Sequence, residues 1–256
     1  MRKKMLLMTA AAFMMMACND TTTTGTNTPP FGRAVIAVSG DIADTVAAFR
    51  NLLGASNGAV AGEQATGRRE INWDGAAANA FDNSNTFPAD FFNTTAKVGA
   101  VFTTDGTGFR NDSTKFVEVN PTYADQFRFF SANKIFAPVG SNVLDVLFQV
   151  AGQPTPAVSS GFGIVLSDVD AANATTIELF AQDGTSLGII AAPVRSDTVG
   201  LSFVGASFDR PVIARVRVTL GTGALASDQN DISEVGGVQD VLVLDNLIYG
   251  EPKKAF

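Results

Sequence analysis

Histidine is absent from this 256-residue chain, and cysteine occurs once, as Cys18. Those two absences exclude a Ser-His-Asp triad, a Cys-His dyad, a histidine-ligated zinc and any disulfide within one chain. Methionine stops early, with all six residues at positions 1, 5, 8, 14, 15 and 16. Tryptophan occurs once and tyrosine twice, against 20 phenylalanines. Sugar-binding platforms favour Trp and Tyr, whose flat rings with polar edges suit a wet surface, so a Phe-heavy set belongs to a core, and Phe91, Phe92, Phe127, Phe129 and Phe130 are assigned there. Basic side chains are in deficit, 18 against 25 acidic, for a formal charge of −7. Such a surface repels nucleic acid and gains nothing from anionic lipid. Gly221-Thr222-Gly223 lacks the strand, helix and Lys of a phosphate loop.

What is present begins with an address. Arg2-Lys3-Lys4 precedes a nearly unbroken apolar run over residues 5–17, the charged start and short hydrophobic middle of a secretory signal peptide. As a helix that run spans only about 20 Å, against roughly 30 Å of hydrocarbon core, too little for a transmembrane anchor. It ends in Met15-Met16-Ala17-Cys18, which resembles the lipobox of bacterial lipoproteins, with Met15 where that motif usually has Leu. The resemblance implies cleavage after residue 17 and acylation of Cys18; two or more acyl chains anchor a protein stably where one does not. Residues 18–31, rich in Thr and closing on Pro29-Pro30, read as an extended tether.

Residues 32–256 carry no second linker, charge block or repeat and read as one domain. One clear helical period lies over residues 41–53, where Ile42, Val46, Phe49 and Leu53 share a face, with Ser39 or Asp41 as N-cap and Gly54 as C-cap. Thereafter Gly, Asn and Asp punctuate β-branched and aromatic runs every eight to twelve residues or so. Asp183-Gly184 is a type I′ hairpin signal, and Arg215, Arg217 and Thr219 alternate with Val216, Val218 and Leu220. The fold expected is mainly β, a jelly-roll-like β-sandwich with one short N-terminal helix. Residues 241–249 are apolar at both parities, which predicts a central strand with Asp245 and Asn246 on opposite faces. A buried carboxylate there needs hydrogen bonds, a cation, or a base such as Arg215 or Arg217.

The stretches Gly67-Arg68-Arg69-Glu70-Ile71-Asn72-Trp73-Asp74-Gly75, Phe87-Pro88-Ala89-Asp90-Phe91-Phe92-Asn93, Gly161-Phe162-Gly163 with Ser167-Asp168-Val169-Asp170, and Asp245-Asn246-Leu247-Ile248-Tyr249-Gly250-Glu251-Pro252 resemble an uncharacterised family of exported bacterial proteins. The resemblance implies a β-sandwich similar to carbohydrate-binding modules whose final strand also carries Asp-Asn or Asp-Asp before an aromatic. It implies no activity. The lipoprotein signal is a departure from relatives with a plain signal peptide.

Three sets of residues are candidates for chemistry. A strand over residues 69–74 places Glu70, Asn72 and Asp74 on one face, a ligand face or a carboxylate pair. Residues four apart on a strand stand about 13 Å apart, beyond the roughly 5–9.5 Å that glycoside hydrolysis needs; the alternative is Trp73 in the core, with Glu70, Asn72 and Asp74 pairing with Arg68 and Arg69 or closing a turn. Asp168 and Asp170 with Asn173 offer alternate oxygens to one point, a calcium-type site lacking the Gly and distant Glu of an EF-hand; the alternative is a polar turn. Asp82-Asn83-Ser84-Asn85 reads as a loop. The expectation is a lipid-anchored, non-catalytic envelope or surface module that binds glycan or another envelope polymer, exported to the outer membrane or cell surface. Two alternatives stand beside it: an assembly protein that binds protein partners, and a hydrolase working through carboxylates or calcium.

Overall fold

The computed structural model describes residues 32–196 and 200–255. The signal segment, Cys18 and the whole of the tether lie outside the described residues. Fourteen strands run in the order β1 (Arg33–Ser39), β2 (Arg68–Ile71), β3 (Ala100–Thr103), β4 (Gly108–Asp112), β5 (Ile135–Val139), β6 (Val143–Phe148), β7 (Ala157–Val158), β8 (Gly161–Ser167), β9 (Thr176–Phe180), β10 (Ser186–Ala191), β11 (Leu201–Phe208), β12 (Arg215–Thr219), β13 (Val243–Gly250) and β14 (Lys253–Lys254). One sheet has the order β1-β11-β8-β13-β5-β4, with β2 also paired to β13; the second has the order β10-β9-β12-β6-β3; β14 pairs with β7. The protein is mainly β, as its sequence predicts.

The two sheets face each other across one apolar core. Phe162, Ile164 and Leu166 of β8 and Val204 of β11 meet Leu144 and Val146 of β6 and Val216 and Val218 of β12 there. On β12 the alternation reads as expected, with Val216 and Val218 buried and Arg217 exposed. The larger sheet is covered on its outer face as well. Helix α1 (Ala43–Leu53) lays Val46 and Phe49, with Ile42 just before it, on Val165, Phe203 and Ile248. Beside it, helix α3 (Tyr123–Gln126) and the chain around it pack Phe116, Tyr123 and Phe127 on Ile135 and Val243. Double coverage explains why β8 and β13 are apolar at both parities. Phe91, Phe92 and Phe127 are buried, and Phe129 and Phe130 are half-buried beneath Lys115 and Arg50.

Several local expectations are corrected. Helix α1 begins one or two residues later than expected: Ile42 is the N-cap, without a side-chain bond, and Asp41 accepts the Ala43 N–H at 3.3 Å; Gly54 closes it as expected. The N-terminal helix is joined by α2 (Phe91–Thr94), α3 and a 3-10 turn over Ala76–Phe81, each too short to print a helical period on the sequence. The β9–β10 hairpin is real, but Asp183 is not left-handed. Gly184 alone has positive φ (+85°), and Ala181 pairs with Thr185 around a three-residue loop, so the turn is not type I′. Finally, β2 ends at Ile71, and Trp73 turns the chain with φ +66°. The face expected for Glu70, Asn72 and Asp74 therefore does not exist.

A bulge in β13 decides where its polar pair points. Leu244 lies opposite Leu166 and Leu247 opposite Ile164, so Asp245 and Asn246 together oppose Val165. Both then face outward with Val165, rather than to opposite faces, while Leu244, Leu247 and Tyr249 stay in the inter-sheet core.

Close backbone approach under α1 makes a test of this packing. A Cβ on Gly163 would stand 2.6 Å from Phe203 and 2.7 Å from Phe49, whereas one on Gly75 meets nothing within 4 Å. Gly163→Ala is expected to cost about 1–3 kcal/mol in a denaturant melt and Gly75→Ala less than about 0.5 kcal/mol. Equal stability of the two variants would refute the seating of Phe49 over β8.

Candidate metal centre

Register places four strand ends together: Ser39 faces Ser202, Leu201 faces Ser167, and Ser167 faces Val243. Beyond Ser167 the chain leaves β8 through Asp168, fully buried and left-handed (φ +78°), its N–H bonded to the Gly200 carbonyl at 2.7 Å. Val169 is plugged into the core, and half-buried Asp170 follows. The segment leading into β13 reaches the same place. Gly221 donates its N–H to Thr175 Oγ1, and Thr222 and Asp240 exchange two bonds of 2.9 Å. A Cβ at Gly221 would stand 2.1 Å from the Asp240 carbonyl, and its φ is +58°. That glycine serves a close backbone crossing.

Asp240 clamps the two segments by accepting the N–H groups of Asp170 and Ala171 at 3.1 and 3.2 Å. Asp231, also fully buried, accepts the Val241 N–H at 2.9 Å and both donors of Ser233 at 2.8 and 2.6 Å. Among the described residues, Asp168, Asp170 and Asp231 form an acidic triplet in which one carboxylate oxygen of each lies within 4.8 Å of the others. Two oxygens bound to one Ca²⁺ at about 2.4 Å can be no farther apart than about 4.8 Å. The spacing therefore allows one metal ion to be shared by the three carboxylates.

Arg195 is the positive group at this cluster. Its Nη1 stands 2.5 Å from Asp168 Oδ1, its Nε 2.5 Å from Asp170 Oδ1, and its Nη2 3.1 Å from Asp170 Oδ2. Asp168 Oδ2 is buried with no hydrogen-bond partner. Burial pushes the Asp168 carboxyl up to about 8; Arg195 opposes the rise, and Asp170, Asp231 and Asp240 add to it. Burial likewise lifts Asp240 to about 6 against the N–H donors of Asp170 and Ala171, and raises Asp170. Without a metal, these carboxyls resist ionising together.

Two of the three expected calcium ligands, Asp168 and Asp170, are thus brought together. Asn173 is exposed in the following turn, where its φ of +63° suits an Asn. Asp231, Asp240 and Arg195 were not foreseen. They lie 25–72 residues from Asp168 and Asp170 in sequence, and no local spacing joins them.

The other candidates are structural. Glu70 takes a two-pronged contact from Arg50, lies 3.9 Å from Arg68 and accepts Asn246 Nδ2 at 2.7 Å. Asp74 accepts the N–H groups of Ala132 and Asn133 at 3.2 and 3.0 Å, and exposed Asn72 lends its carbonyl to Ser131 Oγ at 3.0 Å. Asp245 accepts the Phe130 N–H at 2.7 Å and both donors of Ser131 at 3.1 and 2.8 Å. Arg215 and Arg217 bind Asp145 instead, at 2.9 Å each. The Asp82 loop is a plain one, with Asp82 accepting both donors of Ser113.

No protein family matches the chain, and no curated protein does. Among solved structures it is similar to a crystal structure of a two-domain protein of unknown function from Bacteroides fragilis, at 14% identity and a TM-score of 0.23. That likeness covers 61% of this chain and 46% of the other, and is too slight to bear on fold or function. The resemblance to an exported family thus rests on its sequence stretches alone.

Asp245 gives a pH test away from the triplet. Burial lifts its carboxyl from 3.8 to about 6, opposed by the donors of Phe130 and Ser131. The folded state then holds this proton more tightly than the unfolded state does, so the stability it contributes is full below about pH 4 and is lost as pH rises through 6. The stability lead of the parent over Asp245→Ala, from denaturant melts across that range, is expected to narrow with rising pH. A lead that widens would overturn the assignment.

Proposed function

We propose that this protein is an exported, lipid-anchored, non-catalytic binding module whose sandwich takes a divalent cation of the calcium class. The convergence of Asp168, Asp170 and Asp231 within 4.8 Å, with Asp168 Oδ2 buried and unpartnered, carries the reading. Ca²⁺ suits it because it takes six to eight oxygens in loose geometry, including carboxylates, carbonyls and water. The catalytic alternative has less to draw on, since Glu70, Asp74 and Asp245 are each engaged by donors of the fold.

Anchoring rests on the lipobox-like Met15-Met16-Ala17-Cys18. The tether enters at Arg33, six residues of β1 from Ser39, so about 20 Å of strand separates it from the aspartate end. Anchored at a membrane through Cys18, the outer membrane or cell surface in this reading, the module has its aspartate end a strand's length from the start of β1. The ligand class is a glycan or other envelope polymer, argued from the resemblance to carbohydrate-binding modules. One observation favours the protein-binding alternative: Val235 and Val238, beside the aspartates, are 94% and 81% exposed.

Ca²⁺ at a hundredfold excess over Kd is expected to stabilise the fold by about 2.7 kcal/mol, or roughly 5–10 °C in melting temperature. Asp231→Asn should remove most of that gain. An unchanged melting temperature between millimolar Ca²⁺ and chelator would sink the cation site. Cys18→Ser should move the protein from the membrane fraction to the soluble one, and continued sedimentation with membranes would refute the anchor. The released chain, probed on a glycan array with Ca²⁺, should bind a defined set of glycans; no binding would turn the reading toward protein partners.

A further inference from the structure

We propose that Arg195 is a resident counter-ion which a divalent cation displaces, so that guanidinium and metal compete for the same carboxylate oxygens. This rests on the cation reading above and adds what controls entry. Three observations carry it. The guanidinium bridges Oδ1 of Asp168 and Oδ1 of Asp170 at 2.5 Å each, the place an ion shared by those residues has to take. The solvent side of the cluster belongs to Arg195: its side chain is 25% exposed, against 0% for Asp168 and 11% for Asp170, and Asp231 is fully buried. An ion arriving from water meets the guanidinium first.

The third observation is that one arginine leaves the site unfinished. Asp168 Oδ2 keeps no hydrogen-bond partner although buried, and among the described residues Arg195 alone is ion-paired with the three converging carboxylates. A divalent ion supplies two charges where the guanidinium supplies one, and can reach oxygens that a planar fork bridging two carboxylates does not. A monovalent ion would only exchange one unit charge for another. Competition with Arg195 thus selects for charge, and the cluster stays held together when no metal is bound. The exchange asks little of the backbone, because the Arg195 N–H is tied to the Val169 carbonyl at 2.8 Å and the side chain alone has to swing outward.

The test is calcium titration of the full-length parent, Arg195→Gln and Arg195→Lys by calorimetry at low salt, with melting temperatures in chelator and in saturating Ca²⁺. Removing a unit charge a few ångströms from the ion should tighten calcium binding at least about tenfold in Arg195→Gln. Arg195→Lys keeps the charge without the fork and should fall between. In chelator Arg195→Gln should melt below the parent, and saturating Ca²⁺ should close that gap. Equal or weaker calcium binding by Arg195→Gln, while the parent binds, overturns the displacement and leaves the cation site standing. Absence of calcium binding by all three proteins overturns the site and the displacement together.

Discussion

Strand β13 is buried on both faces, and every polar group it carries must therefore be satisfied from outside its own ladder. The bulge at Asp245 and Asn246 meets most of that constraint by turning both side chains to the outer face, with Asn246 Oδ1 left buried and without a partner. There Asp245 collects the 130–131 backbone and Asn246 reaches Glu70, which in turn holds Arg50 of α1. Trp73, stacked on Phe136 with centroids 3.9 Å apart, donates its indole N–H to the Asp245 carbonyl at 2.8 Å. The helix, the 130–133 loop and the chain after β2 are thus all fixed to two residues of one strand.

The same constraint explains why two sequence stretches stand out together. Strand β2 pairs with the second half of β13, so Arg69 lies beside Tyr249 and Glu70 beside Ile248. Arg69, wholly buried, forms a double contact with Glu251 at 2.6 and 2.7 Å and also donates to the Gly58, Val60 and Gly62 carbonyls. A buried ion pair loses much of its Coulombic gain to desolvation unless such extra donors and acceptors complete it. The Gly67–Gly75 and Asp245–Pro252 stretches are therefore partners in one buckle, and their polar residues belong to construction before any ligand.

Legibility from sequence followed the range of the interactions. Helix α1, the alternating β12 and the doubly apolar β13 were visible because each is set by periodicity within a dozen residues. The end of β2 at Ile71 was not, because Trp73 takes φ +66° to reach Phe136 and Asp245, contacts 63 and 172 residues away. The bulge was hidden for the same reason: it is a register between strands, and an alternation count assumes that none exists. Asp168 and Asp170 were readable as neighbours two apart. Asp231, Asp240 and Arg195 join them only once β8, β11 and β13 are aligned.

Asp245 and Asp168 sharpen the distinction between a structural carboxylate and one that awaits a ligand. Both are wholly buried, and burial raises both. Asp245 accepts three hydrogen bonds from neutral donors held by the fold, and the chain needs nothing further there. Asp168 has one guanidinium on one oxygen, none on the other, and two more carboxylates against it. A packed interior tolerates the first arrangement at modest cost, whereas the second keeps acid groups together in a place where water cannot screen them. Neutral donors would have been enough to hold a loop in place, as the Asp74 and Asp245 contacts to the 130–133 segment demonstrate in the same molecule. Asp231, held by the Val241 N–H and both donors of Ser233, is of the first kind, so what sets this cluster apart is Asp168, a buried carboxylate with two others against it and a single guanidinium on one of its oxygens.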